Sequence, residues 1–520
     1  MHLPLVSENS SGRALPRRRL AFAARGLFIS GLVVAFPVAA RAESKSKFQI
    51  EETTIADIHR AILAKELTTT QLVKLYLARI KAYNGPGVEE PNGMMGVVKV
   101  IPHAKGINAL CTLNLRPATL KAWGFDERKG RSMTDKVDAD PALPDALEVA
   151  AKLDAEFART GKLVGPLHGI VVAIKDQYDT FDMRTTSGGD TFYANDRPPR
   201  DATFAKRMRE AGAIILAKAN LSEYADGTPR SSFGGTFVNA YDTTRHPNAS
   251  SSGSGSAVAA NLVTVAIGEE SSSSIRGPAV AHACVGIAPT VELVSRVGMV
   301  QAGLHTRTGP ITRTVDDAAR VLSVIAGYDP LDAMTAFSVG RMPEKRYESY
   351  TGETSLKGMR IGVVREYMDK SLFTKADEQS IDLVNKAIEE LKRLGAIIVD
   401  PGEHGELFTE YIRKYGPMLQ NSVFAKLHPG QFPVDADGKP TTDQIATLVD
   451  LAMDPSKAEG KFTLRDLGGA EWGGGGGGGG ARGGAAGGGG AGGGPAAATG
   501  ESRFMMNLYL AQRGDPNIKS

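Results

Sequence analysis

NASSSGSGSAVAANLVTVAIGEESSSSIRGPAVAHACVGIAPT, residues 248–290, sets two serine-rich segments on either side of one apolar run. Residues 249–256 read as a Ser/Gly loop. Ala257 to Ile267 reads as a short helix giving way to a strand, and Gly268 to Ser274 as a second polar loop ahead of a segment of small apolar residues. Two such loops flanking one buried element can approach each other in space. Together they would offer hydroxyls and free backbone N–H groups, the materials of nucleophilic catalysis and oxyanion binding. Most Ser/Gly runs, however, are simply flexible connections.

Upstream, GPLHGIVVAIKDQYDT (165–180) contains a continuous β-rich run, Ile170 to Ile174, as expected of a strand buried on both faces. Lys175 ends it. A lysine in that position ordinarily extends its head to water; kept dry, its amine loses affinity for the proton and becomes a usable base. Ile55 to Tyr83 has helical periodicity, with Thr68 to Thr70 as a cap, and Ala146 to Thr160 is a second amphipathic helix stopped by Gly161. Residues 125–141 are charged and read as exposed. A helix–Gly–strand rhythm recurs at Thr203–Ala211, Gly212, Ala213–Ala217 and at Ala376–Leu394, Gly395, Ala396–Val399. This alternation predicts an α/β fold with a mainly parallel sheet.

The formal charge of +3 is concentrated at one end: residues 1–42 carry six arginines and one acid, leaving −2 for the remainder. No basic domain is left to bind nucleic acid. The N-terminus itself reads as a twin-arginine-like export signal, with arginines at 17–19, an apolar stretch from Gly26 to Ala40 and a small-x-small cleavage site at Ala40-Arg41-Ala42. The expected setting is therefore periplasmic or secreted, with no stable membrane insertion after signal removal. Neither the two cysteines, Cys111 and Cys284, nor the nine histidines show metal-ligand spacing, so no metal and no cofactor is expected. Residues 468–500 form a Gly-rich tract that reads as a linker or insertion.

Several motifs in fixed order then point one way: GPLHGIVVAIKD (165–176), REAGAIILAKANLSEYA (209–225), SSSGSGSAVAANLVTVAIG (250–268), SIRGPA (274–279), VGIAPT (285–290) and GPITRTVDDAARVLSVIAGYDP (309–330). From Ile55 to Pro330 the chain resembles the amidase signature family of Ser-Ser-Lys amide hydrolases, in the flavour of exported peptide amidases. The resemblance implies a mostly parallel or mixed central sheet covered by helices on both faces, within a domain at 43–467. It implies Lys175 as the catalytic base, Ser250 as the bridging serine, Ser274 as the nucleophile and the backbone N–H groups of Ser271, Ser272, Ser273 and Ser274 as oxyanion donors. The implied substrate is a small amide or a peptide amide. His168 and His282 are expected to be structural.

The chain departs from the family pattern at several places. Ser272 and Ser273 stand where Gly or Asp, then Gly, are usual; Ala249 replaces a usual glycine and Val171 a usual proline. A turn needing positive φ at 273 would be strained by serine. Residues 501–520 read as a truncated remnant of a longer family C-terminus. An ammonia-releasing protein of the amidotransferase type, and a catalytically impaired binding protein of the same fold, are the alternatives.

Overall fold

The computed structural model describes residues 48–93, 96–132, 138, 140–189, 197–300, 302–303, 305–352, 354–364, 368, 370, 375–399, 410, 428–457 and 500–514. The stretch expected to be an export signal, residues 1–42, and the bulk of the Gly-rich tract lie outside the described residues. Among those described, no helix is long and apolar enough to cross a membrane.

The elements that frame the site are, in chain order, helix α1 (Ile55–Leu63), helix α2 (Thr69–Tyr83), strand β1 (Leu110–Leu113), helix α3 (Ala146–Thr160), strand β2 (Val171–Lys175), helix α4 (Thr203–Glu210), strand β3 (Ile214–Ala219), helix α5 (Ser252–Ala259), strand β4 (Val265–Glu270), helix α6 (Arg276–Ala281), strand β5 (Val285–Gly286), strand β6 (Arg307–Thr312) and helix α7 (Val315–Ile325). The six strands form one sheet in the order β1-β3-β2-β4-β6-β5. Strand β2 pairs in parallel with β3 and β4, and the outer pairings are antiparallel. The sheet is thus mixed, with parallel pairing at its centre. Every residue of β2, β3 and β4 is buried. Successive strand side chains point to opposite faces, so both faces of this centre are covered.

The helix expected over 55–83 is two helices. Thr54 and Thr68 each accept an N–H three residues on while Asp57 and Gln71 reach back to the cap backbone, so each helix has its own capping box. Lys65, at φ +58°, turns the chain between them. The end of α3 follows the sequence: Gly161 adopts φ +65°, the left-handed conformation that glycine enters without strain. Residues 125–141 are not uniformly exposed. Arg131 is fully buried, lies 3.3 Å from the Asp138 carboxylate and donates to the Leu143 carbonyl. A buried guanidinium needs such partners, and composition alone does not show them.

The stretch expected as a Ser/Gly loop at 249–256 is largely helix α5. Its small residues serve close packing: a Cβ on Gly253 would sit 2.1 Å from the Asn220 carbonyl oxygen and 2.8 Å from that of Ala109. Its hydroxyls are satisfied inward, Ser254 on the Ile267 carbonyl and Ser256 on the Val238 carbonyl. The second helix–Gly–strand unit forms as expected, with helix α8 (Lys375–Arg393) and strand β8 (Ile397–Val399), but β8 pairs in parallel with strand β7 (Arg360–Gly362) in a separate two-stranded sheet. Helix α9 (Gln444–Met453) follows. Helix α10 (Gly500–Arg513) returns to the main core, burying Met505 and placing the Tyr509 hydroxyl 3.0 Å from Asp179.

Candidate active site

Parallel strands β2 and β4 end at the same edge of the sheet, the edge at which open α/β sheets place their sites. Their register pairs Ile174 with Ile267, which brings the next residues of both strands out together. Lys175 is the last residue of β2 and is fully buried. Its Nζ donates to the Ser250 hydroxyl at 2.8 Å and lies 2.5 Å from Glu269 Oε2 near the end of β4. Burial pulls the lysine below its ordinary pKa; the Glu269 carboxylate opposes that shift.

Ser250 is held by the turn that enters α5. Asn248 and Ala249 adopt φ +65° and +46°, and the Ser252 hydroxyl donates back to the carbonyls of Pro247, Asn248 and Ala249. The Ser250 carbonyl accepts the Ser222 N–H, and the Ser250 N–H donates to the Ser274 hydroxyl at 3.3 Å. The structure therefore brings Lys175, Ser250 and Ser274 together, with the two serines joined through a backbone N–H. Ser250 is buried and Ser274 half-buried.

The loop carrying Ser271, Ser272, Ser273 and Ser274 is anchored at both ends. Glu270 accepts the N–H groups of Ile275 and Arg276 and pairs with the Arg276 guanidinium at 2.7 Å. Ser271 donates to Glu269 Oε1 and shares a hydrogen bond with Thr306. No protein acceptor takes the N–H groups of Ser272, Ser273 or Ser274 among the described residues. Neither Ser272 nor Ser273 has positive φ; the left-handed residues are Asn248 and Ala249 instead. The glycine replacement that strains the backbone is thus the one before Ser250.

The residue after Lys175 belongs to a second buried pair, Asp176 and Lys218 of β3, 3.6 Å apart. Lys218 also donates to the Tyr178 carbonyl and to Thr185, while Asp176 accepts from Thr186. This network ties the segment after β2 to β3. His282 bridges Ser256 and the Pro278 carbonyl, and His168 accepts the Val164 N–H, so both histidines have structural partners. Among the described residues no group of three or more His, Cys, Asp or Glu side chains could hold a metal ion. A cavity of about 540 Å³ opens beside Asn108, Lys129, Arg184 and Phe233; the lysine–serine cluster is not part of its lining.

Glu269 and Lys218 are the residues that sequence reasoning missed. Lys218 had a signal: it is the next-to-last residue of a buried apolar strand, as Lys175 is the last residue of another, and a buried ammonium needs a partner.

The Amidase family profile matches residues 132–413, more than half of the chain. A probable amidase of Arabidopsis thaliana is 34% identical over 409 residues, covering 75% of this chain and 69% of the relative. A glutamyl-tRNA(Gln) amidotransferase component of Alkaliphilus metalliredigens is 33% identical, covering 67% of this chain and 60% of its own. Other amidotransferase relatives of the same kind are matched over about half of their length. Among solved structures, native peptide amidase from Stenotrophomonas maltophilia superimposes with a TM-score of 0.51 at 30% identity, covering 77% of this chain and 75% of that one. A peptide amidase bound to the competitive inhibitor chymostatin gives 0.52 at 31%, covering 78% and 76%. The chain belongs to the amidase signature family.

Proposed function

We propose that this protein hydrolyses a carboxylic amide, a small amide or a peptide amide, through Ser274, Ser250 and Lys175. The observation that carries the reading is the buried Lys175 amine, 2.8 Å from the hydroxyl of Ser250, a residue whose backbone N–H donates to the Ser274 hydroxyl. In the reaction, neutral Lys175 accepts the Ser250 proton as Ser250 accepts that of Ser274. The Ser274 oxygen adds to the amide carbonyl, and the N–H groups of Ser271 to Ser274 receive the oxyanion. The proton returns through Ser250 to the departing nitrogen as the C–N bond breaks. Water then releases the acid from the acyl-enzyme by the same relay.

Two further features support this reading. One solved relative, at 31% identity, is a peptide amidase with a bound inhibitor, and the arginine-led N-terminus suits an exported enzyme. The amidotransferase relatives favour one second reading, an ammonia-releasing component of a larger complex. The test is a panel of aliphatic, aryl and C-terminal peptide amides with ammonia detection on the purified chain. Turnover that disappears in Lys175→Met supports the proposal. Turnover only after a partner protein is added would favour the second reading, and turnover unaffected by Lys175→Met would refute the relay.

A further inference from the structure

The relay needs a neutral amine, yet the charged group nearest to Lys175 is a carboxylate. Glu269 Oε2 stands 2.5 Å from Nζ, with both side chains nearly inaccessible to solvent. The same carboxylate reaches the oxyanion loop, its Oε1 accepting the Ser271 hydroxyl at 3.1 Å. Its main chain is tied down as well: the Glu269 carbonyl accepts the Ser251 hydroxyl and, at 3.5 Å, a proton of Lys175. Glu269 thus touches both the base and the loop that presents the nucleophile.

The surrounding charges leave the Glu269–Lys175 pairing undisturbed. From β4, Glu270 also faces Lys175 electrostatically, but its charge is met by the Arg276 guanidinium at the start of α6 and by two backbone N–H groups. From the segment after β2, Asp176 is paired with Lys218 of β3. Tyr178 gives its hydroxyl to Gly268 and Thr308. Its own ionisation is driven well above the ordinary phenol range by burial and then by Glu269. On β6, the residue opposite Glu269 is the neutral Thr308, while Arg307 stands opposite Glu270. Glu269 is therefore the carboxylate whose countercharge is the base itself.

We propose that Glu269 is a positioning residue that holds Lys175 against Ser250 as an ammonium ion in the resting enzyme, so that hydrolysis is released only when Lys175 gives up its proton as pH rises. The proposal rests on the amide-hydrolase reading for its catalytic consequence, although the pairing itself does not. The sign is fixed by electrostatics. A buried amine without its carboxylate gives up its proton more readily, so removing the charge at 269 moves the point at which Lys175 becomes neutral to lower pH. The acid limb of kcat/KM reports that point in the free enzyme.

The test titrates the full chain carrying 13Cε-labelled lysine by NMR, with the Lys175 signal assigned through Lys175→Met. Glu269→Gln keeps the shape and the hydrogen-bonding reach; Glu269→Thr is the smaller neutral variant should the first fail to fold. The Lys175 midpoint is expected to fall by about one pH unit or more in the neutral variant, with the acid limb of kcat/KM moving the same way. An unchanged or raised midpoint would overturn the proposal, as would a lowered midpoint in an active enzyme whose acid limb stays in place and whose kcat/KM merely drops at every pH. A wild-type chain that hydrolyses no amide would defeat the amide-hydrolase reading and with it the catalytic role, while the NMR midpoint would still decide whether Glu269 sets the charge of Lys175.

Discussion

Ala249 stands at φ +46°, next to Asn248 at +65°, in the turn that delivers Ser250 to Lys175. Asparagine tolerates the left-handed region; for alanine the Cβ makes it cost about 1–2 kcal/mol. Ala249→Gly should therefore stabilise the fold by about 0.5–1 kcal/mol, the conformational relief being partly offset by the greater freedom of glycine in the unfolded chain. A denaturant midpoint that rises at constant slope checks this; an unchanged or lower midpoint would mean that the turn is not strained at 249. At this scale Lys175, Ser250 and Ser274 each fall in a recognisable sequence pattern, and the fold brings the three together. Strain at Ser273 was conditional on a left-handed turn there; the left-handed residue is Ala249 instead, since which residue of a turn goes left-handed depends on how the turn is anchored. The sequence was silent about Glu269, whose contact with Lys175 is a meeting of two strands that no local pattern records.

At the scale of elements, the Ser/Gly run shows where composition misleads. Serine and glycine are poor helix formers, and their clustering reads as a loop. Helix α5 forms nevertheless because Gly253 lets it approach the carbonyls of Asn220 and Ala109, and the inward hydroxyls of Ser254 and Ser256 find acceptors in the core. Tertiary packing overrides propensity here. Gly253→Ala should destabilise the protein by about 2 kcal/mol or more, as overpacking against main chain does, and should be visible as a lowered denaturant midpoint. A neutral effect would show that α5 has room to move. The strands and their flanking helices were far more legible: β2, β3, α3 and α4 lie close to where apolar runs and glycine stops put them. What local periodicity could not supply was pairing. The α8–β8 unit has the same signature as α4–β3, but it joins a separate two-stranded sheet.

At the scale of the whole molecule, the site is made by topology. Lys175 and Ser250 are 75 positions apart, and Ser250 and Ser274 another 24; parallel β2 and β4 ending at one sheet edge bring them together. Helix α10 joins the segment after β2 through the Tyr509 hydroxyl, which donates to Asp179. The mixed sheet and its family were readable because several motifs occur in one fixed order, a long-range pattern rather than a local one. In the proposed mechanism this convergence makes Ser274 the nucleophile. The most direct measurement is reaction of the folded chain with a fluorophosphonate probe, with the modified residue located by mass spectrometry. A covalent adduct is expected on Ser274, absent in Ser274→Ala and formed much more slowly in Lys175→Met. An adduct on another residue, or labelling that persists in Ser274→Ala, would contradict it.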